Sequence, residues 1–161
     1  MAILVVAVIG AAAFYGIQFL AASAGPDFRY RVIDNGDAVE IRSFIGTGGT
    51  LEIPSHIRDL PVTRIHRNAF SGPYAGGWTW LSTQREIIRR LDAVTIPDTV
   101  THIGRFAFMD SRLRYVHIPD SVVYIGRSAF EQNHSLTAAS VPYHTYVHAW
   151  AFGRNVTITR R

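Results

Sequence analysis

A chain of 161 residues with 48% apolar content is long enough for one packed domain and too apolar for wholesale disorder. Its 16 basic residues are all arginine, and against 12 acidic residues they leave a net charge of +4. That excess is small beside what nucleic-acid binders concentrate on one face, so the composition reads as a mildly basic surface and no nucleic-acid partner is expected. The absence of cysteine excludes disulfides, thiol catalysis, cysteine-ligated zinc and a lipid-anchor cysteine.

In chain order, the first element is apolar. No charged side chain occurs before Asp27, and the stretch from Met1 is rich in Ala, Val, Ile and Leu and long enough, as a helix, to cross a bilayer. It ends in Ala22-Ser23-Ala24, a small-x-small pattern that signal peptidases cut after. Residues 1–24 are therefore expected to be a hydrophobic helix, either a signal peptide or an uncleaved N-terminal anchor, with residues 2–25 available for membrane anchoring. The run is longer than the usual signal core and no Arg precedes it, which keeps the anchor reading open; Arg29 and Arg31 beyond it count against export.

From Phe28 the pattern alternates apolar and polar residues on either side of Asp34-Asn35-Gly36-Asp37. This predicts a β-hairpin, with strands around Tyr30–Ile33 and Ala38–Ile41 and a turn whose Asn and Gly tolerate positive φ. Together with the flexible Gly46-Thr47-Gly48-Gly49, residues 28–50 are expected to form a hairpin cap and joint.

Residues 51–161 then repeat themselves. Leu91, Val94, Ile96 and Pro97 lead to Val100, Ile103, Gly104, Ala107 and Phe108; Leu113, Val116, Ile118 and Pro119 lead to Val122, Ile125, Gly126, Ala129 and Phe130. Leu136, Ala139, Val141 and Pro142 lead to Val147, Ala151 and Phe152, and a looser first copy holds Leu51, Ile53, Pro54, Ile57, Ile65, Ala69 and Phe70. A period of about 22–23 residues is that of a stacked solenoid, here of about four coils. Val116 and Ile118 are two apart, so both point to one side of a short strand, and Pro119 ends that strand by removing a donor. Phe108, Phe130 and Phe152 should form one aromatic ladder. Gly104 and Gly126 mark a corner where a Cβ would clash or positive φ is needed.

The register Leu-x-x-Val-x-Ile-Pro, x-x-Val-x-x-Ile-Gly-x-x-Ala-Phe resembles the BspA-like leucine-rich repeats, and IPDSVVYIGRSAFEQN, Ile118 to Asn133, matches their consensus at every fixed position. The resemblance implies a β-rich leucine-rich-repeat solenoid of short strands and turns with little helix. It also implies a secreted or cell-surface role in adhesion, the partner being a protein or glycan on another cell or in the extracellular matrix. The coil after Phe108 is one residue short and Val147-His148 replaces Ile-Gly, so the last coil departs from the pattern.

Chemistry is sparse in the repeat. Asp120-Ser121 near histidines suggests a hydrolase triad, but Asp98-Thr99 and Ser55-His56 fill the same turn elsewhere. A residue recurring in every coil is a turn-former, expected to accept backbone N–H groups through its side-chain oxygen. His144 and His148 have helical zinc spacing yet fall on a turn and strand without an acidic third ligand, so neither a metal nor another cofactor is expected. An enzyme built on the His-rich Tyr143–Trp150 segment is the remote alternative. Asn133 and Asn155 lie in formal glycosylation sequons, although Asn133 also fills the repeat's Cys/Asn slot.

The interruption carries more. Residues 71–90 add about sixteen residues relative to the sister coils. Thr83-x-x-Glu86 predicts a short capped helix running toward Arg90. Tyr74, Trp78, Trp80, Arg85 and Arg89 are candidate partner-binding residues, because insertions in solenoids gather on one face and Trp, Tyr and Arg dominate interfaces. Alternatively the two tryptophans fold back over the array's edge. Arg105 and Arg127 recur after the corner glycine and are candidates for a binding stripe. The sequence thus points to a non-catalytic exported binding protein, with a structural envelope component held by the N-terminal helix as the rival.

Overall fold

The computed structural model describes residues 28–46, 48–72 and 91–161. The expected helices at 1–24 and after Thr83 lie outside them. Strands β1 (Phe28–Ile33) and β2 (Ala38–Phe44) pair antiparallel around a turn in which Asp34, Asn35 and Gly36 all take positive φ. These strands and this turn fall where the alternation and the Asn-Gly pair put them.

The remainder winds as a β-solenoid with almost no helix. Strands β3 (Gly49–Glu52) and β6 (Leu91–Thr95) pair in parallel, as do β8 (Tyr115–His117), β10 (Ala138–Val141) and β12 (Thr157–Arg160), and together they make one side of the coils. The second side is a parallel sheet running from β2 through β5 (Leu60–Ile65), β7 (His102–Ile103) and β9 (Tyr124–Ile125) to β11 (Tyr146–Val147). The two-residue β4 (His56–Ile57) hangs antiparallel on β5.

The third side has no regular strand. There the Ala-Phe pairs bond from coil to coil: the amides of Phe70, Phe108 and Phe130 donate to the carbonyls of Ala107, Ala129 and Ala151 at 2.8, 2.7 and 2.7 Å. Since each coil contributes one ring at one height, the rings must stack. Centroids of Phe70, Phe108, Phe130 and Phe152 follow at 4.9, 5.1 and 5.0 Å, with planes within 3°, 7° and 6° of parallel. The expected ladder is present and extends one coil earlier than Phe108, with Phe44 and Phe28 tilted against its near end. Leu113, Val116, Ile118, Val122 and Ile125 are each 0–1% exposed and fill the space between the three sides. Full burial of a side chain of this size is worth about 1.5–3 kcal/mol.

The corner glycines serve close approach, not positive φ. A Cβ on Gly104 would lie 2.6 Å from the Arg67 nitrogen, and one on Gly126 would lie 2.7 Å from the Arg105 nitrogen. Positive φ falls instead on the residue before each Ala-Phe pair: Asn68 (61°), Phe106 (60°), Ser128 (55°) and Trp150 (72°). Three of these four are not residues that favour the left-handed region, so the stacking of the coils overrides local preference.

The turn hydroxyls also differ from expectation. They form a ladder, but as donors: Thr99 Oγ1 donates to the Val62 carbonyl at 2.9 Å, Ser121 Oγ to Val100 at 2.7 Å and Thr145 Oγ1 to Val122 at 2.8 Å. The reason is local. The turn amides of Val100, Val122 and Thr145 already donate to the carbonyls of Pro97, Pro119 and Pro142, leaving the previous coil's carbonyl as the group in need of a partner.

Gly126→Ala should be destabilising by about 1–3 kcal/mol, because the new methyl meets backbone that cannot yield without parting two coils. Urea unfolding measures this, and an unchanged midpoint would show that the corner has slack.

Candidate functional site

The polar residues that recur in the coils divide into those spent on the scaffold and those left facing out. Asn133 belongs to the first kind. It is 4% exposed; its Oδ1 accepts the amides of Ser111 and Leu113 at 3.0 and 3.1 Å, and its Nδ2 donates to the carbonyls of Phe108 and Phe130 at 2.8 and 2.9 Å. One amide group therefore closes a bend and ties two coils. Ser111 holds the equivalent place one coil earlier, its hydroxyl donating to the Phe70 carbonyl at 2.6 Å. Buried and fully bonded, Asn133 is a structural bracket and its sequon is masked.

The histidines that suggested zinc are likewise bonded to backbone. His144 Nε2 bonds the Asp120 carbonyl at 2.8 Å, and His148 Nδ1 bonds the carbonyl of Ala149. Asp120 meets Arg161, and Ser121 is occupied by Val100, so no Asp-Ser-His relay is assembled at that turn. The side chains of Arg160 and Arg161 fold back over the last coil: Arg160 donates to the Pro142 and Thr145 carbonyls, Arg161 to that of Ile118. An open cleft of about 680 Å³ runs between Glu52, His56, Thr95 and Asp98, with the Thr99 hydroxyl tied to the Ser55 and Val62 carbonyls beside it.

Two outward rows remain. The first runs across the second sheet through positions that pair strand by strand: Arg31, Glu40, Arg64, His102, Tyr124 and Tyr146. It begins charged and ends aromatic. Glu40 sits 3.7 Å from Arg31 and 3.1 Å from Arg42, and Arg64 pairs with Asp34 at 3.1 Å. The rings of Tyr124 and Tyr146 then stack at 5.6 Å, 36% and 59% exposed. The faces between the two rings are closed, and the exposed surface of the pair is its edges, its hydroxyls and the outer face of Tyr146 on the last strand of the sheet.

The second row stands at the glycine corner. Arg67, Arg105 and Arg127 occupy the same place in successive coils, all exposed, with Ala149 in that place in the last coil. The Arg105 guanidinium rests 4.4 Å from the centre of the Phe106 ring. Of the candidate residues named from sequence, Arg105 and Arg127 are thus brought together, while Tyr74, Trp78, Trp80, Arg85 and Arg89 lie outside the described residues. Arg67 was missed because the first coil has His66 where its sisters have glycine. The His102–Tyr124–Tyr146 row was missed because its position before the buried Ile is variable in residue type. Its signal was the aromatic ring at that slot in two coils.

This architecture has relatives. Residues 87–160 match the family described as BspA type leucine rich repeat region, in six copies. Residues 87–160 thus carry BspA-type leucine-rich repeats. Among solved structures it is similar to a leucine-rich repeat protein from Bacteroides capillosus, at 21% identity over 87% of this chain and 97% of that one, with a TM-score of 0.67. It is also similar to a T. pallidum leucine-rich repeat protein, at 22% identity over 80% of this chain and 62% of that one, with a TM-score of 0.53. A search of curated proteins returned no match. In BspA-type terms, the Asn slot, the Ala-Phe wedge and the Ile-Gly corner are scaffold in this chain, and the two rows are what its described coils turn outward.

Removing the Asn133 bracket orphans buried amides and carbonyls at once, so Asn133→Ala should lower unfolding free energy by about 3–5 kcal/mol. Chemical denaturation checks this, and a loss under about 1 kcal/mol would show that water replaces the side chain.

Two histidines link stability to pH. Burial holds His66 below its ordinary 6.5, with Arg42 adding to the effect and Glu40 opposing it. Burial also lowers His102, with the Arg64 charge beside it adding and Asp34 opposing. The unfolded chain then binds more protons just below pH 6.5, so this part of the stability is present above the ordinary histidine value and is lost as pH falls through it. The melting temperature should drop between pH 7.5 and 5, and a His66→Gln, His102→Gln variant should drop less; equal drops would remove these two groups as the cause.

Proposed function

We propose that this chain is a non-catalytic leucine-rich-repeat binding protein, exported or anchored at the cell surface, that displays a rigid face to a protein or glycan partner. BspA-type repeats generally serve interaction, and the carrying observation here is how the polar groups are used. The recurring hydroxyls, the Asn slot and the two terminal-coil histidines are each bonded to backbone, whereas the Arg67–Arg127 row faces out. Such a scaffold binds by presenting preformed surface, with little ordering required on contact.

Residues Tyr74, Trp78, Trp80, Arg85 and Arg89, in the interruption of the repeat, supply the residue types that anchor interfaces, and they join Arg105 and Arg127 in this reading. The apolar residues 1–24 carry the export or anchoring part. N-terminal sequencing of the mature protein separates cleavage from anchorage.

A capture assay with immobilised protein and intact cells or matrix proteins tests the display role. Trp78→Ala and Trp80→Ala should reduce capture at least tenfold with little change in melting temperature. Capture that survives both changes while thermal stability falls would make the tryptophans packing residues and remove them from the binding face.

A further inference from the structure

The arginine row has a geometry that selects among anionic ligands. Its three guanidinium groups spring from one corner of consecutive coils, where Gly104 and Gly126 let backbone meet backbone. The bonds from the Asn68 amide to the Arg105 carbonyl (3.2 Å) and from the Phe106 amide to the Arg127 carbonyl (3.1 Å) hold the row in step. The backbones of neighbouring arginines are therefore one strand spacing apart, about 4.8 Å. Like charges this close repel one another, and among the described residues no carboxylate pairs with any of the three, although Arg31, Arg42, Arg64 and Arg161 all have acidic partners. Among the described residues, the row is a linear concentration of positive charge without a carboxylate partner, on a rigid wall.

We infer that Arg67, Arg105 and Arg127 bind a linear, densely sulfated polysaccharide lying along the coil axis. This rests on the display role proposed above and names the chemistry of its ligand. An extended acidic peptide fits less well. Its side chains on one face recur every ~6.6 Å, so over three contacts they drift about 4 Å out of step with the row. Single-stranded nucleic acid needs aromatic platforms for its bases beside the basic track. The aromatic row of this protein lies on the adjoining sheet rather than along the arginines, and Tyr124 and Tyr146 stack on each other within 8° of parallel, which closes the faces between them to a base. Sulfates on exocyclic oxygens of a sugar chain rotate freely and occur at high density, so each guanidinium finds one without a fixed register. The planar fork of arginine suits such an oxyanion, and the Phe106 ring under Arg105 limits the freedom lost on binding.

The experiment is the retention of the full chain by dextran sulfate, measured against ionic strength, with uncharged dextran, poly-glutamate and oligo-dT as controls. Each anionic contact releases counterions, so each Arg→Gln change at 67, 105 or 127 should flatten the log–log salt dependence by about 0.7–0.9. The triple variant should lose at least tenfold in affinity. Ala149 is exposed in the same corner of the last coil, so Ala149→Arg should lengthen the row, steepen the dependence by a similar amount and tighten binding. This gain cannot be produced by misfolding. Unchanged affinity in the triple variant, no gain from Ala149→Arg, or poly-glutamate or oligo-dT bound as tightly as dextran sulfate would each overturn the inference. If the triple variant loses dextran sulfate but still captures cells or matrix proteins, the display role stands and its partner docks elsewhere.

Discussion

Each coil of this protein must lie one backbone spacing from the next along all three of its sides, and everything else in the chain accommodates that demand. On two sides, parallel strands meet it through ordinary ladder hydrogen bonds. On the third, where no strand forms, the stacked phenylalanine rings and the amide-to-carbonyl bonds of the Ala-Phe pairs meet it together. The glycine corner allows it by leaving out a side chain, and the turn hydroxyls complete it by satisfying the one carbonyl that the geometry would strand. The left-handed residues show how dominant the demand is. Phe106 and Trp150 take a conformation that large aromatic residues avoid, because the coil must turn there for Ala and Phe to point inward.

The same demand explains how the outward residues are laid out. A residue that recurs inward becomes core, and a residue that recurs outward becomes a row. Arg67, Arg105 and Arg127 make a basic row at one corner, and His102, Tyr124 and Tyr146 make an aromatic row on the adjoining sheet. Neither needs a pocket or convergent loops. The scaffold turns a repeated letter into a line of like groups at fixed spacing. Such a line of like groups is the opposite of an arrangement in which unlike groups converge on a point.

Much of this was legible in the sequence because the repeat constrains it. The spacing of Leu, Val, Ile, Pro, Gly and Phe located the strands, the core and the aromatic ladder, and the Asn-Gly pair located the hairpin turn. What was not legible depends on contacts between coils. Whether Ser121 accepts or donates is decided by a carbonyl about twenty residues away, and no local pattern reports it. The choice between clash and positive φ at Gly126 could be made only once the Arg105 backbone was placed beside it. The outward rows were half legible: Arg105 and Arg127 each follow the recurring corner glycine of the repeat, whereas Arg67 follows a histidine and escapes the pattern.

The bonds that join neighbouring coils also carry a length. Ser121 reaches Val100 across 21 residues and Thr145 reaches Val122 across 23, but Thr99 reaches Val62 across 37 and Ser111 reaches Phe70 across 41. Closing a loop nearly twice as long costs only about 0.5 kcal/mol more in chain entropy. The junction between the Leu51 and Leu91 coils is therefore a place where length is nearly free. Segments of quite different size and composition could be spliced there while the stacked array keeps its register, which lets the scaffold stay constant as the interrupting sequence diverges.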